Sequence, residues 1–412
     1  MKNIKVFKVG GSILSRPDDF LKIAKKISQF KNKGICIVTS AIKGKTNELI
    51  NTFLQAIPKP EFWNFEAFVG LGEIQSAILF ESAFKYFGIK AKAILPWMKE
   101  WPLYISLKGK VLLSKEKINE KRNFTVLRKS REKAKSYLLP LFKENSVVIL
   151  PGFIARDIKG RLVTLGRGGS DISAFLIGEL LRAEELILLK DVEGILSADP
   201  LFHKNSERIK SLDSKELGII ASSGAQVLNP ISLKYRKELK RIKVVSVDAA
   251  MYEDTGTAIT FEKDTTISYS DTCFSALTFV GEKIPETPGI LYEISGILAK
   301  NGISIYSVTM SDYLVAIYID ERKAESGYRL LSPLLGKIKN LKVLNLKKNL
   351  GRIVVRSLKF INEPGIIKKI VTPIAREGIN IWEILTVHTD VIILVEYKDL
   401  KRTYEIVSGI FE

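Results

Sequence analysis

The chain has 412 residues, enough for two or three domains at about 150 residues each. Hydrophobic residues make up 46% and charged residues 26%, a balance that excludes a disordered tail or a collagen-like repeat. The net charge of +19 leaves two readings open: a nucleic-acid surface, or a basic face around a site for small anions.

The surplus concentrates in Lys108 to Lys135, which holds eleven Lys/Arg against three Glu and reads as a polar, solvated stretch. It lacks the aromatic interleaving of a single-strand binder, and no RRM or zinc-finger spacing occurs, so no nucleic-acid partner is expected. Cys36 and Cys273 are the only cysteines, which argues against a disulfide framework and for the cytoplasm. With His203 and His388 they are too few for a structural zinc site, and no metal-ligating residue is expected. No segment reaches the roughly 20 uncharged apolar residues of a membrane helix, so no membrane partner is expected. The opening MKNIKVFKVGG reads as a strand running into glycines rather than a signal peptide.

In chain order, Val6–Val9 reads as a strand ending at Gly10-Gly11. Ser15-Arg16-Pro17-Asp18 reads as a capped helix start, with the helix running to about Phe30. Gly34–Thr39 is an apolar strand, and Thr46–Ala56 and Phe65–Phe87 are helical, the latter stopped by Gly88. Val147–Leu150 is a strand, Ser173–Leu181 a helix and Leu186–Leu189 a strand. Buried strands separated by helices imply a mostly parallel sheet covered by helices.

After about Phe261 the pattern becomes a repeat. Pro288 to Ile305 matches Pro364 to Ile381 at eight of eighteen positions. Each copy has a Pro-Gly opening, isoleucine or leucine at helical spacing, and a glycine (Gly302, Gly378) at a left-handed helix end. Strands at Ala276–Val280 and Arg352–Leu358 precede the two helices, so each unit is half of a βαββαβ module. A duplicated structural domain and a pair of small-molecule sensors both fit.

Common nucleotide fingerprints fail. The Walker A loop that would end at Gly44-Lys45-Thr46 has Thr39 where its first glycine belongs. Gly166-Arg-Gly168 meets Asp171 where a dinucleotide fingerprint ends in glycine. What remains are polar segments at strand ends or helix starts: KVGGS (Lys8–Ser12), TSAIKGKTN (Thr39–Asn47), Gly72-Glu73, GRLVTLGRGGSDISA (Gly160–Ala174) and KDVEGILSADP (Lys190–Pro200). The Gly-Arg-Gly-Gly-Ser-Asp run combines an anion-binding turn, a bidentate cation and a helix N-terminus. Ligands of open α/β sheets bind outside the carboxyl ends of the strands, so these loops point to one shared crevice.

Together the segments resemble the aspartate kinases of the amino-acid-kinase superfamily, over essentially the whole chain. KVGGS is similar to that family's KFGGTS, and LPGFIARDIKGRLVTLGRGGSDISA to its PGFxG…TTLGRGGSDxTA. TSAIKGKTNEL, KDVEGILSADP and SSGAQVLNP have counterparts too, and the duplication lies where the family carries paired ACT domains. The resemblance implies an α/β fold, with an amino-acid-kinase-type sheet sandwiched by helices over residues 1–261. Two ferredoxin-like βαββαβ ACT domains would fill 262–412, with repeats around 276–345 and 351–412.

Carried over residue by residue, the resemblance makes Lys8 and Asp171 the catalytic pair, Lys8 on the β/γ-phosphates and Asp171 orienting it. Gly10 and Gly11 would close on the phosphates, with Lys190 and Asp191 beside the nucleotide. Ser40, Thr46, Glu73, Arg167 and Ser170 would bind aspartate, Glu73 through its ammonium and Arg167 through its α-carboxylate. The implied ligands are ATP and Mg²⁺, L-aspartate, and a lysine or threonine effector on the ACT domains of a homodimer or larger homo-oligomer.

Departures fall on the nucleotide side. Leu196 replaces the family's tyrosine, Leu201 its arginine and Gln226 its lysine, while Asn229 stands at its histidine. Losing two cations that would face polyphosphate removes about 1.5–3 kcal/mol each. Lys190, Lys204 or Lys234 substitutes for them, or ATP binds weakly. The implied reaction is phosphorylation of the aspartate β-carboxylate, feeding lysine, threonine and methionine synthesis. A different carboxylate or carbamate substrate, or a non-catalytic amino-acid-binding paralogue, are the alternatives.

Overall fold

The computed structural model describes residues 3–30, 34–108, 122–144, 147–199, 201–224, 228–236, 238–249, 254–261, 265–361 and 363–411. The chain divides into two compact units, Met1–Glu262 and Lys263–Glu412.

The large sheet of the first unit comprises β1 (Ile4–Val9), β2 (Gly34–Thr39), β3 (Ala91–Ala93), β4 (Val147–Pro151), β5 (Glu185–Lys190), β6 (Ser211–Asp213), β7 (Ile242–Ser246) and β8 (Thr257–Thr260). Their order is β6-β8-β7-β5-β1-β2-β4-β3, parallel throughout except for β7 with β8. Every residue of β2 and β4 is buried, as their uninterrupted apolar runs require in a sheet covered by helices. Helix Gly169–Leu181 packs on β1, β2 and β5, and helix Leu71–Tyr86 on β3 and β4. From β1 the chain builds toward β3 on one side, and from β5 toward β6 on the other. The carboxyl ends of β1, β2 and β5 meet at that reversal, where a crevice forms.

Two helices differ from the sequence reading. The first starts at Asp19, not after Ser15, and ends at Ile27. The Asp19 carboxylate accepts from the backbone N–H groups of Ser15 and Arg16 at 2.9 and 2.8 Å, so Ser15 to Asp18 form a turn before the helix. The long helix predicted over Phe65–Phe87 is two, Phe62–Val69 and Leu71–Tyr86, broken at Gly70. The break lets the shorter helix lean on strand Leu162–Thr164 while the longer one covers the sheet. An unbroken apolar rod was the natural reading of a segment whose two halves are both buried on one side.

In the second unit the strands are β9 (Thr265–Tyr269), β10 (Phe274–Gly281), β11 (Ser307–Met310), β12 (Leu314–Asp320), β13 (Leu341–Ser357), β14 (Ile381–Val387) and β15 (Asp390–Glu396). They run β11-β12-β10-β13-β15-β14, with β9 also on β13. Both repeat helices form as read, Ile290–Lys300 and Ile366–Arg376, ending at Gly302 and Gly378 with φ of +63° and +71°. Ile290, Ile294 and Leu298 anchor one apolar core, and Ile366, Ile370 and Ile374 the other. The two modules are nested rather than sequential. β9 precedes the first module, yet it pairs Thr265 with Ser357 and Tyr269 with Ile353 in the second. The 17-residue β13 serves both, pairing β10 through its first half and β15 through its second.

Candidate active site

A cavity of about 400 Å³ opens at the carboxyl ends of β1 and β2. Lys8, Gly11, Ser40, Thr46, Glu73, Arg167, Ser170 and Asp171 all line it. The sheet thereby gathers into one place side chains spread over more than 160 positions of sequence.

Lys8 comes from the centre of the sheet, paired with Val38 and Leu188, and is only 7% exposed. Its ammonium lies 2.8 Å from Asp171 Oδ1. Asp171 sits in the first turn of helix Gly169–Leu181, where the helix dipole favours negative charge. Burial alone would raise its carboxyl, but the charges of Lys8 and Lys190 outweigh that and hold it below the usual carboxylate range. Burial, and then the neighbouring Lys8 charge, pull the Lys190 ammonium below the ordinary lysine value. Two cations, Lys8 and Lys190, therefore flank the buried Asp171 carboxylate in this corner, with the Asp191 charge also acting on Lys190.

The turn into the helix has the geometry that Gly-Arg-Gly-Gly predicts. Gly168 has φ of +74°, and a Cβ there would lie 2.4 Å from Asn229 Nδ2, so only glycine fits. Asn229 fastens the turn. Its Nδ2 donates to Arg167 O at 2.8 Å and its backbone N–H to Asp171 Oδ2 at 3.1 Å. Arg167 projects from this turn, exposed, and among the described residues no carboxylate pairs with it. The residue standing at the resembled family's histidine thus holds both the Asp171 carboxylate and the Arg167 backbone.

Glu73 enters from helix Leu71–Tyr86. A Cβ on Gly72 would lie 2.8 Å from that of Ala41, so the glycine lets the helix approach the loop after β2 closely enough to bring Glu73 inward. Glu73 is 3% exposed, its carboxylate accepts from the Glu73 and Ala41 backbone amides, and its Oε2 has no partner. Burial pushes its pKa up to about 8. A buried carboxylate with a free oxygen on a cavity wall is a receptor for a cation.

Of the residues read as nucleotide-binding, Lys8 and Gly11 line this cavity, while Lys190, Asp191, Leu196 and Leu201 are not among its lining residues. Gly10 adjoins it, since a Cβ there would lie 3.1 Å from Lys8 Nζ, and one on Gly11 would meet Ala41 O at 3.0 Å. Backbone therefore forms a bare edge that a phosphate can approach. Lys190 ends β5, Asp191 is exposed, and Leu196 forms a backbone bridge with Arg208. Leu201 is 88% exposed and lines no part of the cavity. Gln226 lies outside the described residues. Among those residues no group of three or more His, Cys, Asp and Glu could hold a metal ion.

Two lining residues escaped the sequence reading. Glu66 and Arg122 form an ion pair in the wall, 1% and 7% exposed at the side chain. Arg122 lies in the basic stretch that reads as solvated, and nothing in a run of lysines and arginines marks one as buried.

The Amino acid kinase family model matches residues 3–246, and an ACT domain model matches 269–332 and 347–408. An aspartokinase of Helicobacter pylori is 24% identical over 99% of this chain and 98% of its own length. One from Rickettsia conorii is 31% identical over 58% of each chain. Among solved structures, aspartate kinase from Synechocystis aligns at a TM-score of 0.69 and 20% identity, over 99% of this chain and 69% of that one. E. coli aspartokinase III in complex with aspartate and ADP aligns at 0.54 and 22%, over 99% of both.

Proposed function

This chain belongs to the amino acid kinase family, and we propose that its first unit transfers the γ-phosphoryl group of ATP to the β-carboxylate of L-aspartate, giving 4-phospho-L-aspartate. One observation carries the substrate. The cavity presents a buried carboxylate with a free oxygen, Glu73, and a guanidinium with no carboxylate partner among the described residues, Arg167, which together match the ammonium and α-carboxylate of an amino acid. The hydroxyls of Ser40, Thr46 and Ser170 and the Lys8 ammonium remain for a second carboxylate. Relatives aligned over nearly the whole chain are named aspartokinase, which supports the same reading.

The reaction needs no general base. A β-carboxyl of pKa about 3.9 is ionised at neutral pH. One oxygen attacks the γ-phosphorus as the bond to the β-phosphate oxygen breaks, and ADP leaves. The chain's residues hold two anions in line and absorb charge. Lys8 faces the transferring group, Asp171 fixes the Lys8 ammonium, and the Gly10-Gly11 edge and the helix N-terminus at Ser170 offer N–H groups to phosphate oxygens. When bound with the nucleotide, Mg²⁺ supplies further neutralisation of phosphate charge. Lys190 and Asp191 border the nucleotide in this reading.

Trapping the acyl phosphate as a hydroxamate, with ATP and aspartate as substrates, tests the assignment. A chain that binds aspartate and yields no hydroxamate would be a non-catalytic sensor, a reading favoured by Leu196 and the exposed Leu201 on the nucleotide side. Arg167→Ala is expected to raise half-saturating aspartate at least about tenfold, the cost of one charge-assisted contact, while ATP moves less than about threefold. Separate calorimetric titrations with the two ligands measure the split, and equal losses would remove Arg167 from the substrate site.

The second unit we assign as regulatory, with the ACT modules binding an amino-acid effector, lysine or threonine, in an assembly of at least two chains. The Pro-Gly openings at Gly289 and Gly365, each a left-handed N-cap, leave helix N-terminal N–H groups for a carboxylate. Millimolar lysine or threonine should lower turnover of the full chain. No response to either, with a monomer in sedimentation, would make the repeat purely structural.

A further inference from the structure

We infer that the buried Glu66–Arg122 pair is a positioning device that holds the Arg167 turn against the cavity, and that it acts through Thr164 rather than by touching substrate. The inference rests on the assignment of Arg167 to the substrate carboxylate. Among the described residues no carboxylate pairs with the Arg167 guanidinium, so it is only as well placed as the backbone that carries it.

That backbone leaves strand Leu162–Thr164 and reaches Arg167 three residues later. Thr164 is held on every polar group it has. Glu66 Oε2 accepts from its backbone N–H at 2.7 Å and from its hydroxyl at 2.8 Å. Arg122 Nη1 donates to its carbonyl at 2.9 Å. The ring closes through Arg122, whose Nη1 and Nη2 both donate to Glu66, the latter at 2.7 Å to Oε1. Arg122 also lies over the Phe62 ring, 5.7 Å from its centroid. Three segments distant in sequence thus meet at one threonine: helix Phe62–Val69, Arg122 two residues before strand Phe124–Val126, and strand Leu162–Thr164, which carries it. Beyond it the turn is fixed again where Asn229 Nδ2 meets Arg167 O. Thr164 and Asn229 brace the two ends of the span that aims the guanidinium.

An inward-facing arginine in a carboxylate-binding cavity invites the simpler idea that Arg122 is itself a substrate ligand. Its hydrogen bonds argue otherwise, because both Nη1 donors and one Nη2 donor are already committed to Glu66 and the Thr164 carbonyl. The two ideas separate on what must happen when both partners change. Removing Arg122 alone strands a buried carboxylate, which breaks the ring. Replacing Glu66 by glutamine at the same time removes the stranded charge and keeps an amide oxygen for Thr164.

Hydrogen exchange by mass spectrometry on the full chain without substrate tests the positioning. Peptides covering 162–170 should exchange at least about tenfold faster in Glu66→Ala and in Arg122→Met. They should return to within about threefold of wild type in the double variant Glu66→Gln/Arg122→Met. Peptides from helix Ile290–Lys300 serve as the folding control and should not change. In kinetics, half-saturating aspartate should rise and recover in the same order, with half-saturating ATP steady. Unchanged exchange over 162–170 in the single variants would overturn the inference. So would a double variant no better than Arg122→Met, the result expected of a direct ligand. A wild type that leaves aspartate unphosphorylated would refute the substrate assignment alone, because the exchange arm needs no substrate.

Discussion

Lys8→Ala is expected to lower turnover with ATP and aspartate by at least about a hundredfold, and toward a thousandfold, the range for removing one preorganised donor from a charge-developing centre. Lys8 is almost fully enclosed, 2.8 Å from Asp171, and a Cβ on Gly10 would lie 3.1 Å from its ammonium. A methionine or alanine there cannot spread charge on a departing phosphate. The substitution also leaves Asp171 buried with Lys190 as its remaining neighbouring cation, so the melting temperature should fall as well. Lys8→Met with Asp171→Asn separates the two effects. It should restore the melting temperature and leave turnover as low as in the single variant. Near wild-type turnover in Lys8→Ala would end the assignment of this cavity as a phosphoryl-transfer site.

The second large effect is one of pH. Burial raises the Glu73 carboxyl to about 8, so below that pH it is mostly neutral. An ammonium is recognised by the carboxylate, and binding must then expel a proton. Apparent aspartate affinity should therefore weaken as pH falls below 8, approaching about tenfold per unit and reaching roughly fiftyfold between pH 8 and pH 6. Glu73→Gln should bind aspartate weakly and with a flat profile over that range. The sign for stability is the reverse of an ordinary paired acid. With its folded pKa raised, Glu73 contributes stability that is full below the ordinary glutamate value and lost as pH rises through about 8. Saturating aspartate should cancel that loss, so its stabilising effect in thermal melts should grow from pH 6 to pH 8. A stabilisation that shrinks with rising pH would mean that Glu73 does not meet the ammonium.

Much of this site was legible because its residues lie in short segments with a local physical signature. KVGGS at the end of an apolar strand and RGGSD at the start of a helix each announce an anion-binding backbone, and both line or adjoin the cavity. Glu73 is an acid in an apolar helix, a pattern that more often marks a solvated face, and here the structure buries it. Glu66, seven residues earlier, carries the same signature across the Gly70 break, yet its partner Arg122 lies 56 residues on, within a run of like charges. Pairing over that distance is a property of packing and leaves no spacing to read. The boundary of the first helix failed for a related reason. Ser15 and Asp19 both suit a helix start, and the choice between them rests on which carboxylate reaches which amide. The nesting of the second unit was hidden too. The repeat is contiguous in sequence, and the five residues of β9 that complete the distant module look like any short strand.

Strand β13 gives that unit a property neither repeat would have alone. Its first half is the edge against which β10 pairs, and its second half carries both β9 and β15. Neither module can come apart without removing a wall from the other, so the pair melts as a single cooperative block rather than as two beads on a string. A unit whose two modules share a strand in this way is not expected to survive division by recombination or by a protease cut at the boundary that the sequence repeat suggests. Its natural unit of inheritance is the whole stretch from Thr265 to the last helix, Leu400–Phe411.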